Sequence, residues 1–330
     1  MKKEIRTSEF VTPSHPDKVC DQIADSILDE CLKQDKNSRV AVEVMGGHGK
    51  LNITGEITTT AKVNYEKKAL KVCKENGYGK VEVEVNISKQ SLEISKGITG
   101  GGAGDQGIMI GYACRENKSF IPQEHYLARD LSRLLYERHK KDGKTQITIY
   151  GRKVKIIVAS MADVSGENLK KMIKEWSKQS RFKEFDFANC KIVTNPAGDW
   201  SKSGFEADTG LTGRKIVIDS YGPRVPVGGG CFSGKDPTKV DRSGAYMARK
   251  IALDYLRNKK ASEVFVKLAY VIGKKEPVMK TVQFDSNREE ISGYDLTPEG
   301  IIRYLDLKRP IYKELSSSGH FGRKGLPWEL

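Results

Sequence analysis

One stretch, Gly228–Ser243, constrains this chain more than any other: four glycines run into two lysines and two aspartates, followed by a helical pattern. Glycine lets backbone N–H groups approach an anion closely, and a helix N-terminus attracts negative charge. Asp236 followed by Pro237 predicts a helix N-cap and the first helical residue. Because Lys235 and Lys239 add positive charge, the stretch is typical of a phosphate-binding loop.

The stretch comes close to a P-loop but departs from it at a decisive position. The spacing from Gly229 to Lys235 fits G-x-x-x-x-G-K, yet Asp236 stands where a Ser or Thr should ligate magnesium. The segment Ile216–Asp219, which we predict to be a strand, also ends well before the glycines. A flexible turn before a capped helix is the alternative. It explains the glycines and the proline, but not the lysines or Asp241, which could hold a hard cation.

Composition limits the function classes. A length of 330 residues predicts about two domains, with three small ones left open. The excess of 57 basic over 43 acidic residues gives a net charge of +14, which raises a nucleic-acid hypothesis. However, acidic residues are interspersed with the basic ones, as on a solvated surface. No apolar run is long enough for a membrane span. Six cysteines without a C-x-x-C pair indicate a reducing compartment, hence a cytoplasmic protein.

A second helix start resembles the first. The residues before an apolar pattern at helical spacing predict a helix start. We expect Ser14 or His15 as the cap, Pro16 in the first turn, and Asp17 as an acid that complements the helix dipole. The pattern Pro-x-Lys-Val occurs both at Pro16 and at Pro237. Helix capping alone would explain these residues. The combination nevertheless places an imidazole, a carboxylate and an ammonium at one helix start.

The remaining pattern alternates strands and helices. A hairpin is predicted around the turn 46–49, with the acids Glu43 and Glu56 on its two strands, where a half-exposed strand face would also explain them. Residues 100–107 are rich in glycine and predict either a linker or a mobile lid. Antiparallel hairpins predominate, so the sequence predicts an α+β fold and not a doubly wound parallel sheet.

Several separate stretches together resemble one family, the S-adenosylmethionine synthetases (methionine adenosyltransferases). They are Ser14 to Lys18, Gly55 to Thr59, Gly102 to Gly107, Gly210 to Lys215, Gly228 to Ser243 and His320 to Arg323. Gly-Ala-Gly-Asp-Gln-Gly and Gly-Gly-Gly-x-Phe-Ser-Gly-Lys-Asp are highly specific to that family, and matches extend from residue 10 to the C-terminus.

The resemblance implies a fold, an assembly and a reaction. The fold is three similar α+β units of mostly antiparallel sheet plus helices around a pseudo-threefold axis, which we place at residues 1–96, 102–200 and 202–330. The assembly is a homodimer with active sites at the interface, and pairing of two dimers is left open. The reaction joins ATP and L-methionine into S-adenosylmethionine and releases phosphate and diphosphate, with two Mg²⁺ per site and K⁺.

The resemblance also implies the site residues. Expected to act in catalysis are His15, Arg214, Lys235 and Lys239. Expected at ATP are His15, Asp105, Asp142, Lys144, Asp199, Trp200, Asp208, Arg214, Lys215, Cys231 and Lys235. Expected at methionine are Glu56, Gln90, Asp208 and Lys239. Expected at the metals are Asp17 and Asp241 for Mg²⁺ and Glu43 for K⁺.

The chain departs from the family pattern at several places. Residues 201–207 lack the usual Gly-Gly-Pro, residues 224–227 lack a histidine common before the glycines, and the whole chain is shorter than usual. Relatives usually carry Arg-Phe where this chain has Asp199 and Trp200. A tryptophan ring can still stack on adenine, but the aspartate reverses a charge beside the nucleotide. The segment between Gln90 and Gly102 is also shorter than usual. We expect altered lid closure and retained chemistry.

Two other functions compete with this interpretation. A nucleic-acid-binding protein would bind strands with a steep salt dependence, but aromatic residues do not interleave with the basic runs. Another ATP-using enzyme, such as a kinase, could use the same glycine loop. The reaction products would distinguish a kinase from an S-adenosylmethionine synthetase, because a kinase releases ADP and not phosphate plus diphosphate.

Overall fold

The computed structural model describes residues 4–89 and 101–330. Within these residues the strands form three four-stranded sheets. The first has the order β1 (Ile5–Val11), β6 (Gly143–Tyr150), β7 (Lys153–Met161), β8 (Lys191–Thr194). The second has the order β4 (Glu82–Ser88), β3 (Lys50–Thr58), β2 (Arg39–Gly47), β9 (Gly210–Leu211). The third has the order β12 (Asn287–Glu290), β11 (Met279–Phe284), β10 (Glu263–Tyr270), β5 (Gly107–Cys114).

Antiparallel pairing dominates these sheets. The pairs β3–β4 and β7–β8 are parallel, and the other named strand pairs are antiparallel. The predicted hairpin of β2 and β3 is present, with Gly47 opposite Lys50 at its turn. The prediction of an α+β fold with mostly antiparallel sheets is confirmed.

Each sheet is covered by one long helix. The α-helices of the described chain are α1 (Pro16–Gln34), α2 (Tyr65–Glu75), α3 (Gln123–His139), α4 (Gly166–Ser177), α5 (Ile216–Asp219), α6 (Val240–Asn258), α7 (Pro298–Tyr304) and α8 (Tyr312–Ser318). Helix α1 packs on β2, α3 on β1 and β6, and α6 on β5 and β10. The core lies between each helix and its sheet, because the facing side chains are apolar and buried.

The three sheets exchange strands. Strand β1 joins the sheet of β6 to β8, β5 joins the sheet of β10 to β12, and β9 joins the sheet of β2 to β4. Each segment of the predicted division into 1–96, 102–200 and 202–330 therefore contributes a strand to another segment's sheet. The boundaries themselves stay a prediction.

Two local predictions are wrong. Residues 216–219 form the short helix α5 and not a strand. Helix α6 begins at Val240 with Lys239 as its N-cap residue, so Asp236 does not cap it. The Asp236 carboxylate instead accepts the backbone N–H of Val40 at 2.8 Å and of Thr238 at 2.9 Å. It therefore ties the loop before α6 to β2.

Candidate active site

His15 forms the N-cap of α1, as predicted. Its Nδ1 accepts the backbone N–H of Asp17 at 3.2 Å, so the ring proton of the neutral imidazole resides on Nε2. Burial, reinforced by the Lys215 ammonium, lowers the pKa of His15 to about 3. The site therefore presents a neutral N–H donor near neutral pH, and not a cation or a base.

Asp17 connects the start of α1 to residues 210–215, which we name the basic loop. Its Oδ1 accepts the backbone N–H of Leu211 at 2.9 Å, and its Oδ2 accepts the Lys215 ammonium. The Nε of Arg214 lies 3.4 Å from Oδ1. Burial raises the pKa of Asp17, but the hydrogen bonds from Lys215 and Leu211 outweigh that effect and bring it below the ordinary value. Asp17 is thus an ionised carboxylate surrounded by cations.

Residues 228–235, which we name the glycine loop, run alongside β2. The N–H of Val42 donates to the Gly234 carbonyl at 3.0 Å, and Lys235 stands opposite Ala41 in a single β-bridge. Gly234 has φ +81°, and a Cβ there would lie 2.0 Å from the carbonyl oxygen of Val42. Only glycine therefore permits this close approach, which explains the glycine immediately before Lys235.

The glycine loop carries a second ion pair. Lys235 Nζ donates to Asp241 Oδ2 at 2.6 Å. A Cβ on Gly230 would lie 2.1 Å from Asp241 Oδ1, so the loop backbone passes directly against this carboxylate. Burial raises the pKa of the Cys231 thiol to about 11. The cysteine is accordingly a neutral thiol and no nucleophile at neutral pH.

Glu43 lies on β2 near this pair. Its side chain is exposed, yet desolvation by the surrounding protein raises the pKa of Glu43 to about 7, against the opposing effect of Lys235. The carboxylate therefore changes charge close to neutral pH. That property distinguishes Glu43 from Asp17, which stays ionised.

The basic loop and the glycine loop touch each other. Gly213 has φ +80°, and a Cβ there would lie 2.7 Å from the Cβ of Cys231. The predicted phosphate contacts Arg214, Lys215 and Lys235 thus stand on two loops that are packed together. This contact unites the two predicted helix-start regions into one site.

Two of the predicted nucleotide residues, Lys144 and Asp208, lie near His15. Lys144 and Asp208 are close enough to His15 to affect its pKa in opposite directions. Trp200 Nε1 donates to the Ser160 hydroxyl at 3.1 Å, and Ser160 stands opposite Lys144 in the sheet. Burial raises the pKa of Asp142 to about 6. Its Oδ2 lies 3.5 Å from the N–H of Gly204.

Asp199, the departure from the family pattern, has local partners. Its Oδ1 accepts the backbone N–H of Gly166 and the Nδ2 of Asn195, both at 2.8 Å. These hydrogen bonds hold the loop of Trp200 against the start of α4, and they lower the pKa of Asp199. Its expected contact with the nucleotide stays a prediction.

The other predicted residues are less tightly grouped. Glu56 stands opposite Ala41 in the sheet, one strand away from Lys235. The Lys239 ammonium donates to Asp236. Asp105 is exposed, in the loop that leads to β5. Gln90 and the segment 91–100 lie outside the described residues. In the predicted linker or lid 100–107, Ala103 is buried and its backbone bonds to Gly273 and Lys274.

The carboxylates predicted to bind metals, Asp17, Asp241 and Glu43, do not form one cluster. In the described part of the chain, no three His, Cys, Asp or Glu side chains are grouped as a metal site. Mg²⁺ often needs no such group, since one or two carboxylates, several waters and substrate phosphates complete its shell. Asp17 is ionised and Asp241 is ion-paired with Lys235, and both face loops suited to phosphate, so these residues fit Mg²⁺ of that kind.

Sequence analysis missed three carboxylates behind the site. Asp21, Asp25 and Asp29 follow Asp17 along α1, and each accepts a backbone N–H from a distant segment, a loop for the first two and the start of α8 for Asp29. The signal was present, because four aspartates at a spacing of four residues must share one face of a helix.

Comparison with known proteins assigns the chain to a family. Family models of S-adenosylmethionine synthetase match its N-terminal domain at residues 3–100, its central domain at 100–200 and its C-terminal domain at 203–330. The chain belongs to the S-adenosylmethionine synthetase family.

Individual relatives of the family match over nearly their whole length. S-adenosylmethionine synthase of Mycoplasma mycoides is 39% identical over 368 aligned positions, which cover 100% of this chain and 95% of the relative. The synthase of Brachyspira hyodysenteriae is 40% identical, over 98% of this chain and 95% of its own. A solved structure, described as an unusual S-adenosylmethionine synthetase from Campylobacter jejuni, superposes with a TM-score of 0.90 at 33% identity, covering 100% of this chain and 97% of that one.

Proposed function

We propose that the chain transfers the adenosyl group of ATP to the sulfur of L-methionine. A sulfur lone pair forms the bond to C5′ of the ribose while the bond from C5′ to the triphosphate oxygen breaks. The products are the sulfonium S-adenosylmethionine and triphosphate, which water then cleaves to phosphate and diphosphate. Membership of the S-adenosylmethionine synthetase family supports this reaction.

The observation that carries the proposal is the form of His15 and its surroundings. A thioether sulfur has no proton to lose, so the reaction needs no general base. Its difficulty is the negative charge that grows on the leaving triphosphate, which fixed donors and cations must stabilise. A neutral imidazole with its proton on Nε2, beside Lys215 and Lys144, supplies such donors without a proton transfer.

The two loops divide the phosphate contacts between them. We assign Arg214 and Lys215 of the basic loop, and Lys235 of the glycine loop, to the triphosphate. The adjoining backbone of Cys231 faces the nucleotide in this proposal. The loops are packed together at Gly213, which brings the phosphate contacts assigned to both loops into one region of the subunit.

Metal ions would add charge stabilisation at the same place. Asp17 and Asp241 would each hold one Mg²⁺, and Glu43 would hold K⁺. Bound Mg²⁺ neutralises phosphate charge and lowers the cost of its departure. Lys215 and Lys235 pair with the two aspartates, so each carboxylate already has a cation beside it.

The substrates occupy opposite sides of this phosphate region. The nucleotide lies toward Trp200, whose ring stacks on adenine, with Asp142, Asp199 and Asp105 as further contacts. Methionine lies toward Glu56 and Gln90, with Asp208 and Lys239 as the other expected contacts.

The assembly and the location follow the family expectation. We propose a homodimer with its active sites at the subunit interface, either alone or paired into a tetramer, in the cytoplasm. Within residues 4–89 and 101–330, no helix has the length and apolar character to cross a membrane.

One experiment tests the function. Purified protein is incubated with ATP, methionine, Mg²⁺ and K⁺, and the products are separated by mass spectrometry and ion chromatography. We expect S-adenosylmethionine, phosphate and diphosphate in equal amounts. ADP in their place would indicate a kinase. The absence of any product together with steeply salt-dependent binding of oligonucleotides would support the nucleic-acid alternative.

A further inference from the structure

Helix α1 carries an aspartate at every fourth position, and each of the four binds the backbone of a segment far away in the chain. Asp17 accepts the N–H of Leu211 at 2.9 Å, Asp21 that of Gly213 at 2.9 Å, Asp25 that of Gly234 at 2.8 Å, and Asp29 those of Tyr312 at 3.0 Å and Lys313 at 2.9 Å. Four residues advance a helix by about 6 Å and return to the same face. The four carboxylates therefore form a row along one side of α1, which we name the aspartate row.

The two middle members of the row hold the backbone next to the proposed phosphate contacts. Asp21 and Asp25 are fully buried, at 0% exposure, as Asp17 is too. Asp21 bonds the basic loop at Gly213, next to Arg214, and Asp25 bonds the glycine loop at Gly234, next to Lys235. Each therefore holds the residue that precedes a proposed phosphate contact.

The charges of these two carboxylates are already balanced inside the protein. The second oxygen of Asp21 accepts the Lys18 ammonium at 2.8 Å, and Lys18 also donates to Asp219. Asp25 accepts the guanidinium of Arg242 on α6. Each carboxylate thus has a cationic partner inside the protein, and within the described residues the second oxygen of Asp25 accepts no hydrogen bond.

We propose that Asp21 and Asp25 are positioning residues for the phosphate site, one for each of its two loops. Asp21 fixes the backbone next to Arg214 in the basic loop, and Asp25 fixes the backbone next to Lys235 in the glycine loop. This inference rests on the proposed function in assigning the loops to triphosphate. The contact of Gly213 with Cys231 transmits a shift of either loop to the other.

Asp21 is the better member of the pair for mutation. Its removal leaves Lys18 with Asp219 as a partner, whereas removal of Asp25 would leave Arg242 without its buried carboxylate. Asp21→Ala deletes the bond to Gly213, and Asp21→Asn retains a neutral acceptor oxygen, which is weaker than a carboxylate. Asp29→Ala is the matched control, because it deletes the same kind of bond from the same row at α8, away from the loops.

The kinetic test compares KM with kcat and with thermal stability. We expect the KM for ATP to rise about tenfold in Asp21→Ala and about threefold in Asp21→Asn, since a charged hydrogen bond to backbone is lost or weakened. The KM for methionine should change little. Asp29→Ala should lower the melting temperature and leave the KM for ATP and the KM for methionine unchanged. Equal KM values in Asp21→Ala and Asp29→Ala would overturn the proposal, as would equal impairment of the alanine and asparagine variants.

Two measurements keep this test separate from the proposed reaction. Amide hydrogen exchange should accelerate at Gly213 in the Asp21 variants and at Tyr312 in Asp29→Ala. Calorimetric titration of Mg²⁺ and inorganic triphosphate should show weaker binding in the Asp21 variants alone. If wild type makes no S-adenosylmethionine but these two differences are found, the positioning role stands and the reaction assignment fails. If Asp21→Ala does not fold, unchanged exchange at Gly213 and unchanged triphosphate binding in Asp21→Asn would overturn the role.

Discussion

Lys235 and Asp241 form an ion pair across the end of the glycine loop, with Nζ 2.6 Å from Oδ2. Lys215 and Asp17 form a corresponding pair at the basic loop. In each pair a predicted phosphate contact meets a predicted Mg²⁺ ligand. Since a lysine and a hydrated metal ion both carry positive charge, each lysine is able to neutralise its aspartate before substrate arrives. Binding of a Mg²⁺–phosphate complex would then free the ammonium for the phosphates.

This arrangement predicts a specific Mg²⁺ phenotype for Asp241→Asn. Loss of the carboxylate charge should raise the Mg²⁺ concentration for half-maximal rate about tenfold or more. The control is Asp254→Asn on the same helix, because Asp254 also pairs with a lysine, Lys250, away from the loops. Initial rates at saturating ATP and methionine are measured over a Mg²⁺ series. Identical Mg²⁺ curves for the two variants would remove Asp241 from the metal site.

His15→Ala should lower kcat about 100-fold, because a donor aimed at the developing charge is lost. With the pKa of His15 at about 3, the imidazole is neutral from pH 5 to 8, so no step near pH 6.5 is expected in the rate of wild type. Because folding lowers this pKa, its stabilising contribution is present above pH 6.5 and is lost as the pH falls toward 3. His139→Ala, at the exposed end of α3, is the control. A wild-type ionisation near 6.5 that disappears in His15→Ala would contradict this account.

Alanine variants of Gly229 and Gly234 allow the cost of backbone strain to be measured apart from the cost of a steric clash. Gly229 and Gly234 both have positive φ, but a Cβ on Gly229 meets nothing within 4 Å, whereas one on Gly234 lies 2.0 Å from the Val42 carbonyl. Both alanine variants should lose about 1 kcal/mol of unfolding free energy to φ strain, and Gly234→Ala should lose about 1–3 kcal/mol more. Urea denaturation measures the difference. Equal losses would show that the loop is not held against β2 in solution.

Local patterns predicted the helices and hairpins well, but not where tertiary contacts decide the conformation. The spacing of apolar residues indicated α1 and α3, and the alternation around Gly47 indicated the hairpin. The β-branched run 216–219 suggested a strand, yet it forms α5, where the burial of Asp219 against Lys18 overrides propensity. Pro237 suggested a helix start, but its neighbour Asp236 is engaged by β2.

In the candidate site too, the sequence indicated the features that local residues determine and missed those that tertiary contacts determine. Glycine and charge at residues 228–243 sufficed to indicate a phosphate loop, because that chemistry is encoded within one short stretch. The bonds from Asp21 to Gly213 and from Asp25 to Gly234 span 192 and 209 residues. No local pattern fixes such a pairing. The fourfold aspartate spacing indicates a shared helix face, but only the packing of α1 against both loops determines what that face holds.

Glu43 yields the clearest pH prediction. Desolvation raises its pKa to about 7, so the side chain loses its charge as the pH falls through 7, while Asp17, with a lowered pKa, stays ionised. If Glu43 holds K⁺, the K⁺ concentration for half-maximal rate should therefore rise as the pH falls from 8 to 6. The Mg²⁺ requirement should change far less over this range. The raised pKa also means that the stabilising contribution of protonated Glu43 is lost as the pH rises through 7.

Glu43→Gln should remove this pH dependence, because an amide has no charge to lose. Its K⁺ requirement should be high at every pH between 6 and 8, and should match that of wild type most closely at pH 6. The control is Glu84→Gln, an exposed acid on β4 of the same sheet, which should retain the wild-type profile. Rates are measured over a K⁺ series at each pH, with Na⁺ holding the ionic strength constant. A K⁺ requirement that varies with pH equally in wild type and Glu43→Gln would show that another group titrates, and Glu43 would then lose its assignment to K⁺.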